Sequence, residues 1–275
     1  AVSDRGKVIY SRGYGYADLA TREQVTPQHL FRIASLSKPI TAVAVLQLIE
    51  QGRLTLDTPV FDVLDVQPHR VPGVELDNRQ NQITIRHLLH HTGGWNRSVS
   101  YDAMFKSVTI AESLGVAPPA SAQDVIRYMR GQKLDSDPGH EYAYSNYGYC
   151  LLGRVIEKRS GQSYEDYVKA HVLAPLGITT MSIGHTRLNQ RKPNEVRYYD
   201  PGQGSSVFAQ DLSQEVAQPY GAWHLEAMDS HGAWIASAED LVKFAAAFDD
   251  PEHCPILKAE TIRLMWERPE GLPGH

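Results

Sequence analysis

Ser35 and Lys38 stand three residues apart in the segment Phe31-Arg32-Ile33-Ala34-Ser35-Leu36-Ser37-Lys38-Pro39-Ile40, which runs on into an apolar stretch. On a helix, positions i and i+3 share a face, so the Lys38 amine can reach the Ser35 hydroxyl. Lysine is among the residues least often buried. At the mouth of an apolar helix its ammonium is disfavoured and its pKa falls. A neutral amine can accept the serine proton, which activates the oxygen as a nucleophile. The helix N-terminus adds partial positive charge that favours a developing alkoxide, and the Ser35 backbone N–H at that end can donate to an oxyanion. Alone, Ser-x-x-Lys is a weak signal, better read as a serine N-cap followed by a solvated first-turn lysine.

A second cluster lies in Pro138-Gly139-His140-Glu141-Tyr142-Ala143-Tyr144-Ser145-Asn146-Tyr147-Gly148-Tyr149-Cys150, where Tyr144 and Asn146 form a Tyr-x-Asn triplet leading into another apolar helix. A tyrosine hydroxyl beside a lysine ammonium ionises more easily and can relay a proton. An asparagine amide offers both a donor and an acceptor, to hold a substrate amide or the lysine. The plainer reading is an aromatic turn with Tyr142, Tyr144 and Tyr147 packed in the core and Asn146 as a helix cap. His87, His90 and His91 have the i, i+3, i+4 spacing of a helical metal site. No carboxylate or cysteine nearby completes a ligand set, so neither a metal nor a cofactor is expected. Trp95, Tyr101 and Phe105, and the run from Tyr220 to Trp223, suit a cleft wall or core packing equally.

These residues need a scaffold, and 275 residues with 42% hydrophobic and 21% charged are enough for one large domain or two intertwined subdomains. The net charge of −5, with Arg and Lys scattered, carries no nucleic-acid footprint. No apolar run approaches bilayer length. Cys150 and Cys254 read as buried free thiols, with a single disulfide as the alternative, so cysteine usage does not fix the compartment.

The first element reads as a hairpin, with Ala1 to Ser3 as one strand, a turn at Asp4-Arg5-Gly6, and a longer second strand from Lys7 to Ala17. Phe31 to Ala34 reads as extended, delivering Ser35 into a central helix of about 16 residues that stops at Gly52. Pro39 sits in its first turn, where a missing N–H costs least. Further helices are expected near 84–91, 123–132, 146–159, 164–173, 238–248 and 259–267, with Ser163/Asp166 and Ser237/Asp240 as capping pairs and Gly161 as a stop. The polar stretches 95–121 and 183–223 read as long functional loops. The class is α+β: an antiparallel sheet begun by the hairpin and flanked by helices, with a mostly helical part over roughly 60–230 inside a single domain over 1–275. Two strands make no stable sheet in a chain of this size, and no convincing strand set follows residue 235. Gly271 to His275 resembles a loop in mid-course. The expectation is therefore that the N-terminus is trimmed within the first strand, and that C-terminal strands belong to a longer parent.

Taken together, GKVIYSRGYGYAD, FRIASLSKPITA, GRLTLDTPVFDVL, TIRHLLHHTGGW, PGHEYAYSNYGYCLLG and HGAWIASAEDLVKF resemble the serine β-lactamase and penicillin-binding-protein superfamily. The likeness is to the branch of class C β-lactamases, D-alanyl-D-alanine carboxypeptidases and family VIII esterases. The phrases occur in the family's order and cover most of the chain, and Ser-x-x-Lys is a signature of these enzymes. The resemblance implies a β-lactamase/transpeptidase-like fold. It implies Ser35 as the acylated nucleophile and Lys38 as its proton acceptor or electrostatic partner. Tyr144 would share general-base duty and activate the deacylating water, and Asn146 would orient the substrate amide. The family's third motif, Lys-Thr-Gly or His-x-Gly on an edge strand, is not found after residue 240. His231-Gly232 does not fill that place, because HGAWIASAEDL matches the segment before it. Losing one oxyanion donor costs about 10²–10³ in rate, so this chain alone is expected to be nearly inactive while an intact parent is active.

The expected activity is that of a serine hydrolase working through an acyl-enzyme on a small-molecule or peptide substrate: a β-lactam, an ester or a D-Ala-type amide. The alternative is a non-catalytic binding or assembly module on the same fold. Family analogy implies export to the periplasm or beyond. The sequence does not specify an oligomeric state.

Overall fold

Ile40, Val43, Ala44, Val45, Leu46 and Leu48 are all buried, on every side of one helix, so that helix must be surrounded by the rest of the chain. The computed structural model, which describes residues 1–70, 73, 75–267 and 269, shows how. In chain order the elements are β1 (Val2–Asp4), β2 (Lys7–Tyr10), β3 (Tyr16–Asp18), β4 (Glu23–Gln24), β5 (Phe31–Arg32), α1 (Ser37–Glu50), α2 (Val60–Leu64), α3 (Ile85–Leu89), α4 (Ser107–Leu114), α5 (Ala122–Met129), α6 (Asn146–Ser160) and α7 (Tyr164–Val168). They continue with β6 (Ser182–Ile183), β7 (Gln203–Ser205), β8 (Glu215–Ala217), β9 (Trp234–Ala236), α8 (Ala238–Ala246) and α9 (Ala259–Trp266).

Helix α1 packs against α6, whose Tyr147, Cys150, Leu151, Leu152, Val155 and Ile156 are buried, and the two carry the centre of the core. Helix α6 starts because the Ser145 hydroxyl accepts from Gly148 N, and it stops at Gly161, whose φ of +75° suits glycine. The strands form small antiparallel sheets: β1-β2, β3-β4, β7-β8 and the three-stranded β5-β9-β6. In the last, Arg32 pairs with Ile235 and Ile235 with Ser182, so β9 is the middle strand.

The α+β class of the sequence reading holds, and both cysteines are free, Cys150 buried and Cys254 half-buried. Several local expectations are corrected. The second hairpin strand ends at Tyr10 and a separate strand begins at Tyr16, because Gly15 takes a left-handed φ of +75°. The hairpin forms its own two-stranded sheet rather than starting a larger one. Only Phe31 and Arg32 of the expected extended run are strand, and Ser35 lies in a 3₁₀ turn, Ala34–Leu36, ahead of α1. The presumed loop 95–121 contains α4, which buries Ile110 and Ala111 and ends at Gly115 (φ +66°). The loop 183–223 carries the hairpin β7-β8. The expected loop at Gly271 to His275 lies outside the described residues.

Gly13 marks a close approach of chain to chain. A Cβ there would stand 2.1 Å from the Val25 carbonyl oxygen, a backbone atom with little room to give. Gly13→Ala is expected to lower stability by roughly 1–3 kcal/mol. Thermal unfolding checks it; an unchanged midpoint would show that the segment before β3 has slack against the residues after β4.

Candidate active site

Strand β5 delivers the chain to Ser35. Ile33 N donates to the Trp234 carbonyl at 3.0 Å, which ties the last residue before the turn to β9. Arg32 anchors the same point by donating to the carbonyls of Pro219 (2.7 Å) and His185 (2.8 Å), with its guanidinium 4.5 Å from the Tyr198 ring centroid. The stretch 183–223, expected as a long functional loop, therefore grips the strand that leads to the serine. Ala34 then takes a φ of +47°, left-handed and costly for a residue with a Cβ. The reversal leaves Ser35 exposed, while Lys38, one turn on, is 4% exposed.

The four residues singled out in the sequence meet here. Ser35 Oγ lies 2.5 Å from the Tyr144 hydroxyl. Lys38 Nζ donates to Asn146 Oδ1 at 2.8 Å and to the His231 carbonyl at 2.9 Å, and reaches Ser35 Oγ at 3.3 Å. Asn146 is not the helix cap; Ser145 caps, which frees the asparagine amide for the lysine. Tyr147 packs in the core against Trp95, as the aromatic-turn reading expected of it, whereas Tyr144 stands at the site.

Burial is the first cause of a Lys38 pKa held down at about 8, with Asp102 pulling it up and Arg97 pushing it down. The geometry says which hydrogen is lost. Two of the three partners are carbonyl oxygens that can only accept, so a neutral amine must spend both remaining hydrogens on them. Its lone pair then faces Ser35 Oγ, the longest of the three contacts. That arrangement is competent to take the serine proton.

Several neighbours had no role at this site in the sequence reading. Ser230 Oγ donates to the Tyr149 carbonyl at 2.9 Å and holds the turn that offers the His231 carbonyl. Ser145 N donates to His91 Nδ1 at 3.2 Å, and the His91 ring lies 4.7 Å from that of Tyr144. Burial first, and the Lys38 charge second, press the His91 pKa down to about 4, so the ring is a neutral acceptor. The three histidines do not act as one group: His87 Nδ1 accepts from Thr84 N in a capping box, and His91 sits past the end of α3 with a φ of +57°. Asn146 Nδ2 donates to Asp102 Oδ2 at 2.7 Å. A cavity of about 560 Å³ bordered by Leu46, His87, His90, Tyr149 and Leu264 is lined by none of the four central residues, so it is not the reaction site.

A family model described as Beta-lactamase matches residues 1–271. The chain is 28% identical over 249 residues to Penicillin-binding protein 4* of Bacillus subtilis (strain 168), covering 89% of this chain and 50% of that protein. It is 34% identical over 195 residues to Protein flp of Staphylococcus aureus (strain N315), covering 70% of this chain and 36% of that protein. It also superimposes on the octameric penicillin-binding protein homologue from Pyrococcus abyssi with a TM-score of 0.66 at 27% identity, over 94% of this chain and 53% of the other. The chain thus spans about half the length of the first of these relatives, or less. Among the described residues, no helix is long and apolar enough to cross a membrane.

Proposed function

The chain belongs to the Beta-lactamase family, and on that premise we propose that it is a serine hydrolase in which Ser35 carries the substrate's acyl group as a covalent ester. The observation that carries this reading is the Lys38 amine, buried, supplied with two acceptor carbonyls, and left facing Ser35 Oγ. In the acylation step the Ser35 proton passes to the neutral Lys38 nitrogen as Oγ bonds to the carbonyl carbon. Tyr144, 2.5 Å from Ser35 Oγ, is placed to pass a proton to the departing group when the tetrahedral intermediate collapses. Water then attacks the ester carbon, its proton passing to the Tyr144 oxygen while the Lys38 ammonium returns a proton to Ser35 Oγ as the C–Oγ bond breaks, which restores all three groups. Asn146 holds the lysine through Oδ1, and one of its Nδ2 hydrogens remains for a substrate carbonyl. The substrate class is a carbonyl compound with a displaceable group: a β-lactam, an ester or a D-Ala-type amide.

The test is stoichiometric labelling, which does not require turnover. A fluorophosphonate or a labelled penicillin is expected to add its mass to Ser35, and Ser35→Ala is expected to remain unlabelled. No adduct with either reagent would favour a binding module that has kept the fold without the chemistry.

A further inference from the structure

We propose that Asp102 is a positioning residue for this site: its carboxylate fixes which way round the Asn146 amide stands and so keeps the acceptor end of that amide on Lys38. The importance of the Lys38 orientation rests on the serine-hydrolase reading; the effect of Asp102 on Lys38 does not.

The amide is constrained from both ends. Asp102 Oδ2, as a carboxylate, can only accept, so the atom 2.7 Å from it must be the amide nitrogen. Lys38, as an ammonium, can only donate, so the atom 2.8 Å from it must be the amide oxygen. The two charged groups therefore make the amide orientation unambiguous. Asp102 also caps the short turn Ala103–Phe105, but through its other oxygen, Oδ1, which accepts from Met104 N at 3.2 Å. Capping alone would leave Oδ2 unused. Asparagine caps as well as aspartate, so Asp102→Asn keeps that duty while removing the charge and the acceptor-only chemistry.

Arg97 is the counterweight. Its Nη1 stands 4.0 Å from Asp102 Oδ2, too far for a tight ion pair, and its guanidinium lies 5.0 Å from the Tyr144 ring centroid. The remaining groups around Lys38 do not add charge of their own. His91 and His231 are both held neutral by burial, Tyr149 is buried with its ring 5.8 Å away, and Tyr144 and Ser35 face the amine from the solvent side. Beside burial, the charges acting on the Lys38 amine are one carboxylate reached through Asn146 and one half-exposed guanidinium.

The experiment is an NMR titration of the Lys38 side chain, with lysine labelled at ¹³Cε in the whole chain and the resonance assigned by its loss in Lys38→Met. Compared with the unmodified chain, Asp102→Asn is expected to move the Lys38 midpoint down and Arg97→Gln to move it up, each by roughly half a unit to one unit. Asp102→Glu, which retains the charge, should restore most of the original midpoint. In parallel, the Asn146 side-chain amide signal should lose its protection from exchange in Asp102→Asn only. Midpoints that coincide in the three proteins, with the Asn146 signal unmoved, would reduce Asp102 to a turn cap. Should Asp102→Asn fail to fold by circular dichroism, Asp102→Glu and Arg97→Gln still decide: an unmoved midpoint in Arg97→Gln, or a fall in Asp102→Glu as large as that expected for charge removal, overturns the proposal. Labelling of Ser35 reports separately on the hydrolase reading, because the titration reads Asp102 whether or not Ser35 reacts.

Discussion

Lys38→Met is expected to slow the acylation of Ser35 by an activated aryl ester by about 10²–10⁴-fold, the range that removal of a general base costs. Methionine keeps an unbranched stem of similar length, so the packing of the first turn of α1 changes little. What it removes is the nitrogen that donates to Asn146 and His231 and faces Ser35 Oγ. The pH dependence supplies the sign. Because burial holds the lysine at about 8, well below an ordinary amine, most of it is ammonium at pH 7 and a minority has a lone pair. Raising the pH removes that proton, so the rate should climb about tenfold per unit below this value and level off above it. The methionine variant should lack this limb. The two stranded carbonyls also cost stability, about 1–3 kcal/mol together, so the melting point is measured beside the rate. A variant that folds and acylates within about threefold of the parent chain would remove the amine from the mechanism.

The same geometry shows what could and could not be read in advance. Ser35 and Lys38 were legible because a one-turn spacing is a local rule and survives even though the serine sits in a 3₁₀ turn rather than in the helix itself. Tyr144 and Asn146 were legible from the triplet and the phrases around it, but nothing local linked them to Lys38, which is 108 residues from Asn146 in the chain. Asp102 was not legible. A single aspartate in a polar stretch has no periodicity to mark it, and its partner is 44 residues away. The His231 carbonyl was invisible for a different reason: a backbone acceptor has no residue type. The turn at Ala34 was also hidden, since propensity argues against a left-handed alanine and only the tertiary ties on Ile33 and Arg32 hold it there. Strand β9 is three residues long, too short to show alternation, yet it is the middle strand of the sheet that feeds the site.

That strand is the place where stability and chemistry meet. Trp234→Ala is expected to cost about 3–5 kcal/mol and to lower the melting temperature by roughly 10 °C. Trp234 is fully buried, and its ring packs edge-on to that of Tyr164, with 6.2 Å between centroids. Its indole N–H donates to the Tyr164 hydroxyl at 2.9 Å; that hydroxyl is 2.6 Å from Thr41 Oγ1, which in turn donates to the Ser230 carbonyl at 2.6 Å. Each hydroxyl in this buried chain has one hydrogen to give and the Ser230 carbonyl can only accept, so the direction runs from Trp234 through Tyr164 to Thr41 and Ser230. Thr41 is one turn beyond Lys38 on α1, and Ser230 precedes the residue whose carbonyl holds the lysine. The tryptophan therefore fills the core and, through three hydrogen bonds, pins the helix bearing Lys38 to the turn that receives it. Tyr164→Phe separates the two contributions, since it keeps the ring and breaks only the relay, at about 1–3 kcal/mol. The ratio of the two losses is the measurement: if Tyr164→Phe destabilises as much as Trp234→Ala, packing of the indole contributes little and the relay is the main support. If both leave the melting temperature within about 2 °C of the parent, neither the indole nor the relay holds this part of the core together.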